Sequence, residues 1–208
     1  RGFPVSQRKE DYNYFSKKVS NKKIVVNAGL WLGDPDIDAI TRLSSNIVAE
    51  RYKLKHNIIL DTKTNSPFNS QNTALLSEVA PCYFLSSDVG RMDDIYASYI
   101  TKKVCDHLDY YISFGEPIVV QKRNDHNIWK DLDLERYNHE YVEDLLIFLK
   151  EISLSKKSNT PLKTTKELIS KLLIKVKKIK NKNKKRILER FLRSYLIWLK
   201  TIQILKKF

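Results

Sequence analysis

The stretch Gly90-Arg91-Met92-Asp93-Asp94-Ile95-Tyr96-Ala97-Ser98-Tyr99-Ile100 decides how the chain is read. From Asp93 onward the apolar residues Ile95, Tyr96, Tyr99, Ile100, Val104 and Leu108 recur at steps of three and four, which predicts a helix with one buried face. Its first turn carries two adjacent carboxylates, Asp93 and Asp94, held at a surface or cleft by the buried face behind them. The positive end of a helix favours ionised carboxylates, while neighbouring ones repel unless a cation or a substrate proton lies between them. Such a pair can act as a general base; first-turn acids are also common on ordinary surface helices.

Upstream, the β-branched run Ile24-Val25-Val26 predicts a short buried strand that Gly29 ends. A loop follows, with two glycines, a proline and the alternating acids Asp34, Asp36 and Asp38. It leads into a short helix over residues 36–43, with Asp36 as its cap. Residues 57–60 predict a second strand, 61–70 a polar loop, and 71–76 a third strand. Downstream, residues 110–114 and 118–120 predict two more strands, separated by Gly115 and Pro117. Short strands alternating with short helices indicate an α/β class.

From Arg136 the texture changes to three amphipathic stretches: one around Tyr141, Leu145, Leu149 and Ile152, one around Leu168, Leu172 and Val176, and one around Leu188, Phe191, Leu192, Tyr195 and Leu199. The lysine-rich residues 180–185 interrupt the second and third. Of the 208 residues, 1–135 contain 18 basic and 18 acidic side chains, whereas 136–208 contain 20 and 6, so the second part carries the whole net charge of +14. The sequence thus divides into an α/β part, 1–135, and a basic helical extension, 136–208. Cys82 and Cys105 sit in apolar patterns without C-x-x-C spacing, which predicts buried thiols, a reducing compartment and no zinc site. No segment has the apolar length of a membrane span. The chain begins at Arg1 without an initiator methionine, so the expectation is either that a longer protein continues upstream or that the true start has been removed.

Five stretches in order carry a resemblance: Arg1-Gly2-Phe3-Pro4 to Arg8; Asn27-Ala28-Gly29-Leu30-Trp31-Leu32 through Asp36-Ile37-Asp38-Ala39; Asn69-Ser70-Gln71-Asn72-Thr73-Ala74-Leu75; Gly90-Arg91-Met92-Asp93-Asp94-Ile95-Tyr96; and Cys105-Asp106-His107-Leu108. Over residues 1–135 the chain resembles the STELLO-type glycosyltransferases and their relatives, the plant reversibly glycosylated polypeptides that act as UDP-arabinopyranose mutases. The resemblance implies the second, acceptor-side half of an A-type glycosyltransferase domain, with the nucleotide-binding half and its divalent metal (Mn or Mg) upstream. It implies Asp94 or Asp93 as the base beside an acceptor hydroxyl, and Arg91 as a contact for an anionic group. Arg8 lines up with the arginine that is reversibly glycosylated in the plant polypeptides. An always-charged guanidinium is a poor nucleophile, so Arg8 is carried over as a phosphate or sugar contact. His126 is the candidate metal-proximal histidine. Asp34, Asp36 and Asp38 are read as loop and cap residues in preference to metal ligands.

Asn69, Gln71, Asn72 and Thr73 have the neutral donors and acceptors that read sugar hydroxyls, and Trp31 either stacks on a sugar face or fills the core. The leading expectation is transfer of a sugar from a nucleotide-sugar donor to a glycan or cell-surface acceptor. A nucleotide-sugar mutase and a non-catalytic partner of a glycan synthase are the alternatives. The basic helices favour an anionic membrane surface over nucleic acid as a further partner, because lysine outnumbers arginine and no recognition motif accompanies it. These expectations place the chain in the cytoplasm at a membrane periphery, or in the secretory lumen in a eukaryotic relative.

Overall fold

A computed structural model describes residues 2–8, 18–19, 21–53, 56–62 and 64–205. Arg1, the first residue of the Arg-Gly-Phe-Pro stretch, lies outside them. The chain is mixed α/β. Strand β1 (Ile24–Gly29) is the middle of a small sheet: β5 (Tyr111–Gly115) runs parallel to it on one side and β4 (Thr73–Leu75) antiparallel on the other, and β3 (Ile58–Ile59) pairs antiparallel with β5. Val25, Val26 and Ala28 are buried, as a β-branched central strand requires. The register sets Gly29 opposite Gly115, so the two parallel strands end together. A second pair of strands, β2 (Leu32–Gly33) and β6 (Val120–Gln121), also parallel, continues from those ends. The residue 118–120 strand thus begins later than expected and belongs to another sheet, and residues 32–33 of the expected loop are its partner.

Helix α1 (Ala39–Ser44) follows. Its cap is Asp38, whose carboxylate accepts from the Thr41 N–H; Asp36, the expected cap, lies outside the helix. Helix α2 (Asp93–His107) begins where expected and is more deeply buried than one apolar face implies. On one side its Cys105 joins Val26, Phe68, Val79 and Ile112 under the sheet. On the other, Tyr96, Tyr99, Ile100 and Val104 pack with helices α3 (Ile128–Glu151), α4 (Pro161–Val176) and α5 (Lys182–Leu205). Tyr96 meets Phe191 edge-on at 5.6 Å, and Phe191 meets Tyr195 at 5.8 Å. Burying such aromatic surface contributes roughly 2–3 kcal/mol per ring.

The turn at Ala80–Cys82 is gripped from the same side. Trp198 Nε1 donates to the Pro81 carbonyl at 2.9 Å, the Tyr195 hydroxyl donates to the Cys82 carbonyl, and the Thr165 hydroxyl lies 3.1 Å from Cys82 Sγ. The basic stretch is therefore bound into the core through its apolar stripes. The composition change at Glu135 falls inside α3, which runs on without a break. Neither cysteine is in a disulfide, and both are buried. No helix among the described residues is long and apolar enough to cross a membrane.

Candidate anion and sugar site beyond the parallel strands

The carboxyl ends of parallel strands are where open α/β sheets place ligands, because the loops there are free to vary. Here they open on a cavity of about 70 Å³ lined by Gly29, Trp31, Phe68, Asn69, Ile95 and Phe114, among others. Trp31 is part of that lining, and its indole N–H is buried without an acceptor among the described residues. Gly29 is required for close approach: a Cβ there would lie 2.4 Å from Asn72 Nδ2. That amide donates to the Leu30 carbonyl at 2.7 Å, and the Gly29 N–H donates to the Asn72 carbonyl at 2.8 Å.

The other polar residues of this loop hold the loop itself. The Thr73 hydroxyl donates to the Asn69 carbonyl at 2.7 Å, Asn69 Nδ2 donates to Asp36 Oδ2 at 3.2 Å, and Gln71 is exposed. The two α2 carboxylates differ in setting. Asp94 is buried; its Oδ1 accepts from the Ile95 N–H at 2.8 Å and its Oδ2 from the Ser70 N–H at 3.3 Å, so it joins the loop to the helix start. Asp93 is half-buried, and its Oδ1 accepts from the Asp94 N–H at 2.8 Å. Of the pair, Asp93 is the one open to a ligand. Gly90, at φ +60 and ψ −137, makes the turn that sets this start, a conformation open to almost no other residue.

Beside this loop three arginines gather, two of them paired with acids and the third held by a backbone carbonyl. Arg91 pairs with Asp131 in the first turn of α3, and His126 Nδ1 lies 3.4 Å from the other oxygen of Asp131. Arg123 Nη1 donates to Asp36 Oδ1 at 3.3 Å, while its backbone N–H donates to Asp34 Oδ2 at 3.0 Å. Arg42 donates to the Pro35 carbonyl at 2.5 Å. Burial and the nearby Arg123 pull the Arg42 guanidinium below its ordinary pKa, against the fields of Asp34, Asp36 and Asp131. Each arginine is oriented by a partner and retains further N–H groups, an arrangement suited to an added anion.

Arg8 is differently placed. Its Nη2 donates to Asp38 Oδ2 at 2.5 Å and to the Phe3 carbonyl at 3.0 Å; its Nη1 donates to Asp38 Oδ1 at 3.4 Å and to the Thr41 hydroxyl at 3.2 Å; its Nε also donates to Phe3 at 3.3 Å. All five N–H groups meet protein acceptors, so a ligand contact requires one bond to be given up. Burial acts to raise the Asp38 pKa, but the Arg8 and Thr41 hydrogen bonds prevail and hold it at about 2. Glu135 and His139 complete this wall from α3. Glu135 Oε2 accepts from the Ala39 N–H at 2.8 Å, and His139 Nε2 is buried without a partner among the described residues. Burial keeps His139 below the usual histidine pKa, although Asp38 and Glu135 oppose the shift.

Among the described residues no group of three His, Cys, Asp or Glu side chains is placed to hold a metal ion. A divalent cation needs carboxylate oxygens free to bind it. Asp36 and Asp131 spend theirs on guanidinium groups, and His126, exposed, faces Asp131. The residues here do not fit such a cation.

The family model described as "Reversibly glycosylated polypeptide" matches residues 3–206. The chain belongs to the reversibly glycosylated polypeptide family. That match extends across all three C-terminal helices, beyond the residues 1–135 that carried the resemblance. The chain is 26% identical over 174 residues to a probable UDP-arabinopyranose mutase 4 of Arabidopsis thaliana, covering 81% of this chain and 44% of that protein. It is 25% identical over 185 residues to UDP-arabinopyranose mutase 1 of Oryza sativa subsp. japonica (86% and 48%), and 28% identical over 164 residues to a probable UDP-arabinopyranose mutase 1 of Pisum sativum (75% and 41%). The chain spans less than half the length of these relatives. Of the readings open from the sequence, the mutase, rather than the transferase, is the one these family members carry in their names.

Proposed function

We propose that this chain is the sugar- and diphosphate-facing part of a nucleotide-sugar mutase, acting on a UDP-linked sugar of the arabinopyranose kind as part of a longer protein. The observation that carries the reading is the family match over residues 3–206, with relatives named for that activity. The geometry supplies a chemical basis. Rearranging a nucleotide-linked sugar means weakening its bond to a diphosphate, and guanidinium groups already oriented by protein acceptors stabilise the charge that develops there. Arg91, Arg123 and Arg42 are assigned that role. Asp93, at the positive end of α2, is the group to move a proton at a sugar hydroxyl.

The cavity of about 70 Å³ holds only a few atoms of such a ligand, whereas a site for a molecule of drug size or larger takes roughly 300–1,000 Å³. The nucleotide therefore rests on the part of the longer protein corresponding to the unmatched length of the relatives. Transfer and rearrangement separate by one experiment. The full-length protein is incubated with UDP-arabinopyranose with and without a glycan acceptor, and the nucleotides are resolved by chromatography. Rearrangement gives a second UDP-sugar without acceptor; release of UDP only when acceptor is present returns the function to a transferase.

A further inference from the structure

We propose that the turn between α4 and α5 is a docking surface for an anionic lipid bilayer, separate from the arginine site. Residues 168–188 contain nine cations and no acid. Lys171, Lys175 and Lys184 are spent on Glu167, Glu151 and the Glu140–Asp144 pair. The other six, Lys177, Lys178, Lys180, Lys182, Lys185 and Arg186, have no carboxylate at ion-pair distance among the described residues. Lys177, Lys178 and Lys180 lie in the turn, Lys182, Lys185 and Arg186 in the first turns of α5, and Lys182 opens a helix whose first turn holds no acid. Cations at the positive end of a helix repel both one another and the helix, so the arrangement costs the free chain stability that an anionic surface restores.

The turn borders an open hollow of about 320 Å³ lined by Phe148, Ile179 and Asn181 as well as Lys178, Lys180 and Lys184. Ile174, in the last turn of α4, is 62% exposed. Apolar side chains among lysines suit a headgroup layer, where the stems enter the interface and the amines stay with the phosphates. Residues 168–188 contain no aromatic ring and a single arginine, so the base-stacking surface and guanidinium forks that nucleic acid uses are missing. Along α3, Asp144 at the hollow lies thirteen residues from Asp131 at the arginine site. That is about 20 Å at the helical rise, so the two surfaces function apart.

The test is sedimentation of the full chain with phosphatidylcholine vesicles lacking or containing phosphatidylserine, at low and high salt. The structure leads us to expect binding only to the anionic vesicles and only at low salt. At a factor of about five per lysine, Lys178→Gln with Lys180→Gln weakens it about 25-fold, while Lys163→Gln with Lys166→Gln, exposed on the far end of α4, leaves it near the parent. No binding at low salt overturns the proposal, as does equal weakening by both pairs, which would mark diffuse charge in place of a site. Displacement of the chain from vesicles by a tenfold lower concentration of single-stranded RNA phosphate also overturns it, in favour of nucleic acid.

Discussion

Arg8 Nη2 and Asp38 Oδ2 lie 2.5 Å apart and join the N-terminal segment to the start of α1. The same carboxylate caps that helix through Thr41, so one side chain both ends a loop and fixes a guanidinium. Asp38→Asn keeps a good helix cap and removes the charge. Arg8 remains 30% exposed, so the loss is on the order of 1–2 kcal/mol, below that of breaking a fully buried pair.

The pH dependence carries a clearer signature. Folding lowers the Asp38 pKa from 3.8 to about 2, so the unfolded chain takes up the proton first. Its stabilising contribution is complete above the unfolded value and is lost as pH falls toward about 2. Denaturant midpoints of the parent should therefore fall more steeply between about pH 4 and pH 2 than those of Asp38→Asn. Parallel curves would show that Asp38 is not held ionised by Arg8.

Gly90→Ala separates backbone strain from crowding. A Cβ at Gly90 meets nothing within 4 Å, so any loss comes from its positive φ. The expected cost is about 1–3 kcal/mol by urea denaturation. A gain, as at a glycine whose dihedrals alanine accepts, would mean that the turn into α2 relaxes without harm.

A chain cut after Glu135 leaves Tyr96, Ile100 and Val104 without the α4 and α5 side chains that cover them. It is expected to lose its cooperative thermal transition and to bind hydrophobic dye. A sharp transition in the shortened chain would show that the α/β part folds without the helices.

The sequence made α2 and the sheet strands legible because their signals are local. Helical spacing from Asp93 marked α2, and β-branched runs ended by glycine marked β1. The role of the C-terminal helices was hidden by their charge, since lysines on an outer face say nothing about what the inner face covers. The start of α3 was missed because its first turns invert the usual pattern, with Trp129 and Leu134 exposed and Asp131 and Glu135 buried. Asp131, Glu135 and His139 are four apart, on one face, and buried. A buried polar stripe at helical spacing was the available signal that α3 lines a site.

The pairings of Arg123 with Asp36 and of Arg91 with Asp131 bridge 87 and 40 residues. No local pattern reports such contacts; they follow from how the chain crosses. Asn69, Asn72 and Thr73 were legible as a hydrogen-bonding group, but their bonds shape the loop, because a tight turn leaves its own carbonyls to be satisfied first.

The most direct measurement follows the anomeric proton of UDP-arabinopyranose by NMR with the full-length protein and no acceptor, beside the Arg91→Ala and Arg123→Ala variants. The account predicts growth of a second UDP-linked anomeric signal and a loss of rate in each variant on the order of 10²-fold or more, as for removing a group that stabilises developing charge. An unchanged spectrum with the parent protein, or full conversion by both variants, would contradict it.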